Sequence, residues 1–187
     1  MRYKPEHKAQ TRQRIVAAAE RSFKKNGYSG IGVDGLAKEA GVTSGAFYGH
    51  FASKEAAFGE AIETGLSTLY SAIENVKQES GEHWWAEFAA FYTSQKRTCD
   101  LTESCALQSL TTEVGRADPN IRALFEAELL KIHKLANDDA RQNTDTTWAS
   151  LAMLIGGVSL ARAVNSEALS SEISEAVKNA VIALQKP

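Results

Sequence analysis

Apolar positions recur along this chain at intervals of three and four residues, the period of an amphipathic helix. Ile15, Ala19 and Phe23, with Val16 beside them, form the first stripe and predict a helix over 7–26, which Gly27 stops. A second, short pattern predicts a helix over 33–40 with Leu36, Ala37 and Ala40 inward. Gly41 permits a tight turn after it, and Val42 plugs that turn. A third helix is expected over 44–51, where Phe47 and Phe51, four apart, share one face and would pack on the two preceding helices. Ser53 is placed to cap a fourth helix, expected to run to about Gln78, with Glu55 near its positive end. Beyond Gly81 the period stays helical and predicts segments at 83–97, 104–116, 119–141, 145–165 and 169–185; Asp118-Pro119 is a good start for one of them. No stretch alternates in the manner of a strand. The expected fold is all-α with about nine helices: a three-helix N-terminal unit over 1–54, joined by the fourth helix to a bundle over 55–187.

Composition adds two constraints. The net charge of −2 is an average over unlike parts: residues 1–54 carry ten Lys/Arg and four Asp/Glu, the remainder eleven and nineteen. A head at +6 on a bundle at −8 is the asymmetry expected when one end meets phosphate. Two cysteines, Cys99 and Cys105, are too few for a disulfide framework and suggest a reducing compartment. The N-terminal residues lack the apolar core of a signal peptide, and the most apolar run, 151–161, is too short to span a bilayer. A cytoplasmic protein without a membrane partner is expected.

The segment LAKEAGVTSGAFYGHFASK, 36–54, has the plan of a helix-turn-helix, whose second helix enters the major groove of double-stranded DNA. Thr43, Ser44 and Ala46 sit at its N-terminal end, where hydroxyls can bond bases or phosphates and a methyl can touch thymine. Gly45 allows close approach of the backbone. Tyr48, His50 and Lys54 suit phosphate contacts. Each residue also has an ordinary reading, as surface aromatic, solvated histidine or helix cap; it is their joint occurrence after the LAKEAGV turn that points to DNA. Arg2, Lys4 and Lys8 could form a minor-groove arm or a solubilising tail.

Over about 9–59, including TRQRIVAAAERSFKKNGY, the chain resembles the DNA-binding domain of the tetracycline-repressor (TetR) family of bacterial regulators. The resemblance implies phosphate contacts by Tyr48, His50 and Lys54, base-edge positions for Thr43, Ser44 and Gly45, and Thr11 near the DNA backbone. Two departures from the family pattern are Gly49, a helix-weakening residue in the recognition helix, and acidic Asp34, which argues against a phosphate contact there. The resemblance further implies a homodimer on a palindromic operator, with the last two long helices forming a four-helix interface. Leu151, Leu154, Ile155 and Val158 would supply one apolar face, and Ile173, Val177 and Val181 the other; Gly156-Gly157 would allow close helix approach. The alternative places these faces inside the protomer.

The aromatic residues Trp84, Trp85, Phe88, Tyr92 and Trp148 could line an effector pocket or simply form core. Cys105, following Ser104 as an expected N-cap, would sit in the first turn of a helix whose dipole favours a thiolate. The segment 105–124 resembles regulators whose cysteine at this point senses electrophiles or oxidants, with Cys99 near enough in sequence to act as a resolving thiol. Glu103 opposes thiolate formation, and a free cysteine is commonly an inert core residue. His83 and His133 are isolated, with nothing nearby at metal-ligand spacing, and no cofactor is implied. The expected function is a ligand-responsive repressor, with a constitutive or redox-responsive regulator lacking a pocket as the alternative. An enzyme pairing Cys105 with His83 or His133 has no motif behind it. A non-specific DNA compactor would need more positive charge than this head carries.

Overall fold

A computed structural model describes residues 5–137 and 144–185. Arg2 and Lys4 therefore lie outside the described residues, as does the expected extension of one helix to 141. Among the described residues there are nine α-helices and two 3-10 turns: α1 (Pro5–Asn26), α2 (Val33–Glu39), α3 (Ser44–Tyr48), α4 (Lys54–Ser80), α5 (Trp84–Thr98), α6 (Ala106–Val114), α7 (Pro119–Ala136), α8 (Thr144–Arg162) and α9 (Glu167–Leu184). The turns, Gly81–His83 and Leu101–Glu103, introduce α5 and precede α6.

Caps explain most boundaries. Thr43, Ser53, Asp118 and Ser166 each accept a backbone N–H of the first turn of their helices, relieving one of the donors a helix start leaves unpaired. Ser166 starts α9 earlier than the apolar stripe suggests. Gly41, at φ +66°, makes the turn between α2 and α3; nothing crowds it, so the left-handed backbone rather than space requires glycine there. Val42 then donates its N–H to the Ala37 carbonyl, 2.9 Å, and locks the turn.

One core runs through the molecule. Ile15, Ala19 and Phe23 of α1 meet Leu36, Phe47 and Phe51, and the same cluster continues through Phe58 and Ile62 of α4 into the bundle. Phe23 packs edge-on to Phe58 with ring centroids 5.0 Å apart. The division expected at residue 54 coincides with the first residue of α4, yet packing crosses it: α1 touches α4, α6 and the Leu101–Glu103 turn. Gly65 of α4 sits so close to α6 that an added Cβ would lie 2.4 Å from Ala106.

The C-terminal helices overturn part of the expected dimer face. Leu151, Leu154 and Val158 of α8 and Val181 of α9 are buried within the protomer. The largest apolar side chains turn towards α5 and the α8–α9 contact, where burial is greatest. Ile155, Ile173 and Val177 are half-buried. Gly157 is the close-approach glycine, since a Cβ there would lie 2.4 Å from Val177, whereas Gly156 faces open space. The surface left outward carries Ala152, Gly156 and Leu160 on α8, and Leu169, Ala176, Ala180 and Ala183 on α9, small residues with two exposed leucines among them.

Candidate DNA-reading surface and a junction cavity

The recognition helix is shorter than its sequence suggests. It occupies Ser44–Tyr48, and Gly49 is its C-cap rather than an interior residue. The backbone N–H of Gly49 donates to the carbonyls of Gly45 and Ala46, so the departure from the family pattern falls where a glycine costs little. Phe47, fully buried, pins the helix to the core. Thr43, Gly45, Ala46 and Tyr48 are exposed on the opposite side, and Ser44 and His50 are half-exposed. Tyr48 presents 57% of its surface, high for an aromatic residue.

Hydrogen-bond polarity differentiates the two hydroxyls. Thr43 Oγ1 accepts the Ala46 N–H at 3.1 Å, which leaves its own proton available to a base or phosphate acceptor. Ser44 Oγ donates to Asp34 Oδ1, so Ser44 turns an acceptor outward. Asp34 thus lies beside the N-terminal end of α3. The recognition that an acid there opposes phosphate binding was legible; its pairing with Ser44, ten residues on, was not.

Arg12 is the residue that sequence reading missed. Its guanidinium donates to the His50 carbonyl at 2.6 Å, pairs with Glu60, and lies 4.3 Å above the Phe51 ring. It ties α1, the end of the recognition helix and α4 together. No spacing rule links positions so far apart. The His50 imidazole has its pKa lowered, first by burial and then by the Lys8 and Arg12 charges. Lys54 places its ammonium 4.2 Å from the centre of the Tyr28 ring, anchoring the start of α4. Tyr28 in turn has its phenol raised, by burial first and then by Glu55. Thr11 departs from expectation: it is buried, and its hydroxyl donates to the His7 carbonyl at 2.9 Å, the usual retreat of a threonine within a helix.

The aromatic residues divide into two groups. Trp84, Trp85 and Phe88 are buried core: the two indoles stack, Phe88 meets Trp85 edge-on, and the Lys77 ammonium lies against Trp84. Trp148 stacks on His133 with ring centroids 3.9 Å apart, which accounts for that histidine. None of these four lines the cavity of about 450 Å³ that lies between α1, α4, α5 and the segment before α6. Tyr92 and Cys105 do line it, opposite Ala17, Glu20 and Lys24 of α1. The effector-lining role expected for Trp84, Trp85, Phe88 and Trp148 is therefore not matched by this cavity: the first three fill the bundle's interior, and Trp148 is half-buried against His133.

Cys105 is the N-cap residue of α6, and Ser104, expected in that role, instead donates to the Leu101 carbonyl and bonds Ser109. Cys105 remains at the start of the helix and is buried. Cys99 closes α5, with its Sγ 3.7 Å from Arg162 Nη1; Arg162 also donates to the carbonyls of Lys96, Arg97 and Cys99 and ties α8 to the end of α5. Among the described residues no cluster of His, Cys, Asp and Glu could hold a metal ion, and no helix is long and apolar enough to cross a membrane.

Comparison with known proteins agrees with this geometry. Residues 15–61 match the family model described as bacterial regulatory proteins, tetR family. The HTH-type transcriptional repressor DhaR of Mycobacterium sp. (strain GP1) is 27% identical over 121 residues, 65% of this chain and 59% of that protein. The HTH-type transcriptional repressor NemR of Escherichia coli (strain K12) is 27% identical over 120 residues, 62% of this chain and 60% of that protein. The chain thus spans about three fifths of the length of these curated relatives. The crystal structure of reduced E. coli NemR superposes with a TM-score of 0.77 at 19% identity, covering 91% of this chain and 96% of that one. A TetR regulator from Chloroflexus aurantiacus gives 0.78 at 18% identity, covering 95% and 96%. These structures share the fold, and the matched segment is the one that builds the reading head. Residues 15–61 thus carry the segment that defines the tetR family of bacterial regulatory proteins.

Proposed function

We propose that this chain is a sequence-specific, homodimeric transcriptional repressor that leaves a palindromic operator when an effector binds or when Cys105 is modified. The observation that carries the reading is the surface of α3: an anchored recognition helix whose outward residues are Thr43, Gly45, Ala46 and Tyr48, on a basic head. Thr43, Ser44, Gly45 and Ala46 face base edges in this reading, and Tyr48, His50 and Lys54 face phosphates. Arg12 holds the helix end in register. The relatives named as repressors support the direction of control. Dimerisation uses the small-residue face of α8 and α9, where Ala152, Gly156, Ala176 and Ala180 permit close helix contact. The protein acts on DNA in the cytoplasm.

A titration by fluorescence anisotropy tests the reading, on DNA from immediately upstream of the coding sequence with scrambled DNA as control, at two salt concentrations. Tight, sequence-selective binding that weakens with salt is the expected result. Equal weak binding to both DNAs would remove the claim of a specific operator at that place.

A second route to release rests on Cys105 lining the junction cavity. Addition of its thiol to an activated alkene forms an S–C bond, with the thiol proton ending on the neighbouring carbon. Wild-type protein would then release DNA on treatment with N-ethylmaleimide, and Cys105→Ser protein would not; equal release by both excludes this route.

A further inference from the structure

The cavity between the reading head and the bundle is lined by a buried donor whose polar neighbour is a weak acceptor. Tyr92 is 2% exposed and lines the cavity, and its hydroxyl has no hydrogen-bond partner of good geometry. The polar group beside it is the Cys105 thiol, a weak acceptor. Burial, with Cys105 next in weight, raises the phenol well above its ordinary pKa of 10.0, which keeps it a neutral donor. A buried hydroxyl left in this state lowers stability, and most such groups in native proteins find a partner.

We infer that this junction cavity binds a small, uncharged, largely apolar molecule through a carbonyl oxygen that accepts the Tyr92 hydroxyl. The inference rests on the regulator reading above and gives the chemical class of its effector. The volume of about 450 Å³ is in the range of small-molecule sites. Leu69, Phe91 and Ala106 supply apolar wall. Among the charged residues that line it, the Lys24 ammonium pairs with Glu20 and Lys96 donates to the Glu103 backbone carbonyl at 2.9 Å, while Arg21 and the Glu103 carboxylate stand at the same lining. A neutral acceptor for the Tyr92 hydroxyl leaves both of these contacts in place.

The position gives the site leverage over DNA binding. One wall is α1 itself, and the same helix carries Arg12, which holds the His50 carbonyl at the end of the recognition helix. At the cavity floor there is no slack: a Cβ on Gly65 would lie 2.4 Å from Ala106 and 3.1 Å from Glu20. A ligand that widens the cavity therefore displaces α1 relative to α4, and the Arg12 contact moves with it. The route runs through the head's own first helix. Reciprocity requires that operator DNA weaken ligand binding by the same factor that ligand weakens operator binding.

The test uses the full chain, as wild type and as Tyr92→Phe, with 1-indanone and acetophenone as probes and indane and ethylbenzene as their carbonyl-free counterparts. Tyrosine-ring NMR signals and melting temperature report binding. Without ligand, Tyr92→Phe is expected to melt about 2–4 °C higher than wild type, since the ring stays and the unpartnered hydroxyl goes. The ketones should shift the Tyr92 signals and bind wild type about tenfold more tightly than Tyr92→Phe, while the hydrocarbons bind both proteins alike. Ketone binding should also weaken operator affinity. Equal ketone affinity for both proteins, no ketone binding, or a melting temperature unchanged or lowered by Tyr92→Phe would each overturn the site. If the ketone result holds while no DNA is bound selectively, the regulator reading fails and the cavity assignment stands; selective DNA binding without ketone binding gives the converse.

Discussion

His50 shows how one side chain can serve both fold and function with opposite pH signs. Its folded pKa lies below 6.5, from burial first and from Lys8 and Arg12 next. The contribution to stability is therefore fully present above the unfolded value and is lost as pH falls through the lowered folded value. A phosphate placed beside the ring reverses the pressure from Lys8 and Arg12, so DNA binding takes up a proton. Operator affinity is expected to rise as pH falls from about 8 to about 5.5 at constant ionic strength, and His50→Gln should flatten that slope. Anisotropy titrations across the range check it; identical slopes would take His50 out of the phosphate contacts. Asp34 offers a second test at this scale. Its carboxylate receives the Ser44 proton, so Asp34→Ala frees that hydroxyl to donate and removes a negative charge from the reading surface. The ratio of operator to scrambled-DNA affinity should fall about tenfold, with a changed base preference in each half-site. Selection from randomised half-sites would reveal it, and an unchanged motif and ratio would mean that the pair faces away from the bases.

Among the helices, close approach decides more than propensity. Gly156 and Gly157 are adjacent and equally helix-weakening in sequence, yet only Gly157 is crowded. Gly157→Ala is expected to push α8 from α9 at Val177 and cost about 1–3 kcal/mol in urea unfolding. Gly156→Ala meets nothing within 4 Å in the protomer and should be neutral or stabilising by up to about 1 kcal/mol. Equal effects from the two changes would mean that the α8–α9 contact adjusts freely. The same logic governs the recognition helix. Its single interior turn has little stability of its own; the Thr43 cap, the buried Phe47 and the Arg12 contact hold it.

For the whole molecule, the consequential feature is that the head and bundle share a core while the outward face of α8 and α9 exposes alanines, Gly156 and the leucines Leu160 and Leu169. Ala180 is exposed on α9 and supports no core contact, so Ala180→Arg should leave the protomer folded and halve the mass seen by sedimentation at micromolar concentration. Operator binding should fall at least about a hundredfold, because one reading head loses the avidity of two. A dimeric mass in Ala180→Arg would move the interface elsewhere. The shared core also bears on control, since α1 belongs to the reading head and forms one wall of the junction cavity.

The local pattern by itself determined the helices, the tight turn at Gly41 and the outward polar face of α3, because period, caps and glycine conformation act over a few residues. It also placed Cys105 at a helix start, although it assigned the cap to Ser104. Local spacing could not tell which apolar faces are internal: Leu151, Leu154 and Val158 make as good an interface stripe as a core stripe until α5 and α9 cover them. Nor could it separate Tyr92 from Trp84, Trp85 and Phe88, which share its helix and its aromatic character. Only tertiary structure brought Tyr92 to a cavity walled by α1 and Arg12 to the end of the recognition helix, because contacts between distant positions depend on how helices pack rather than on how each one forms.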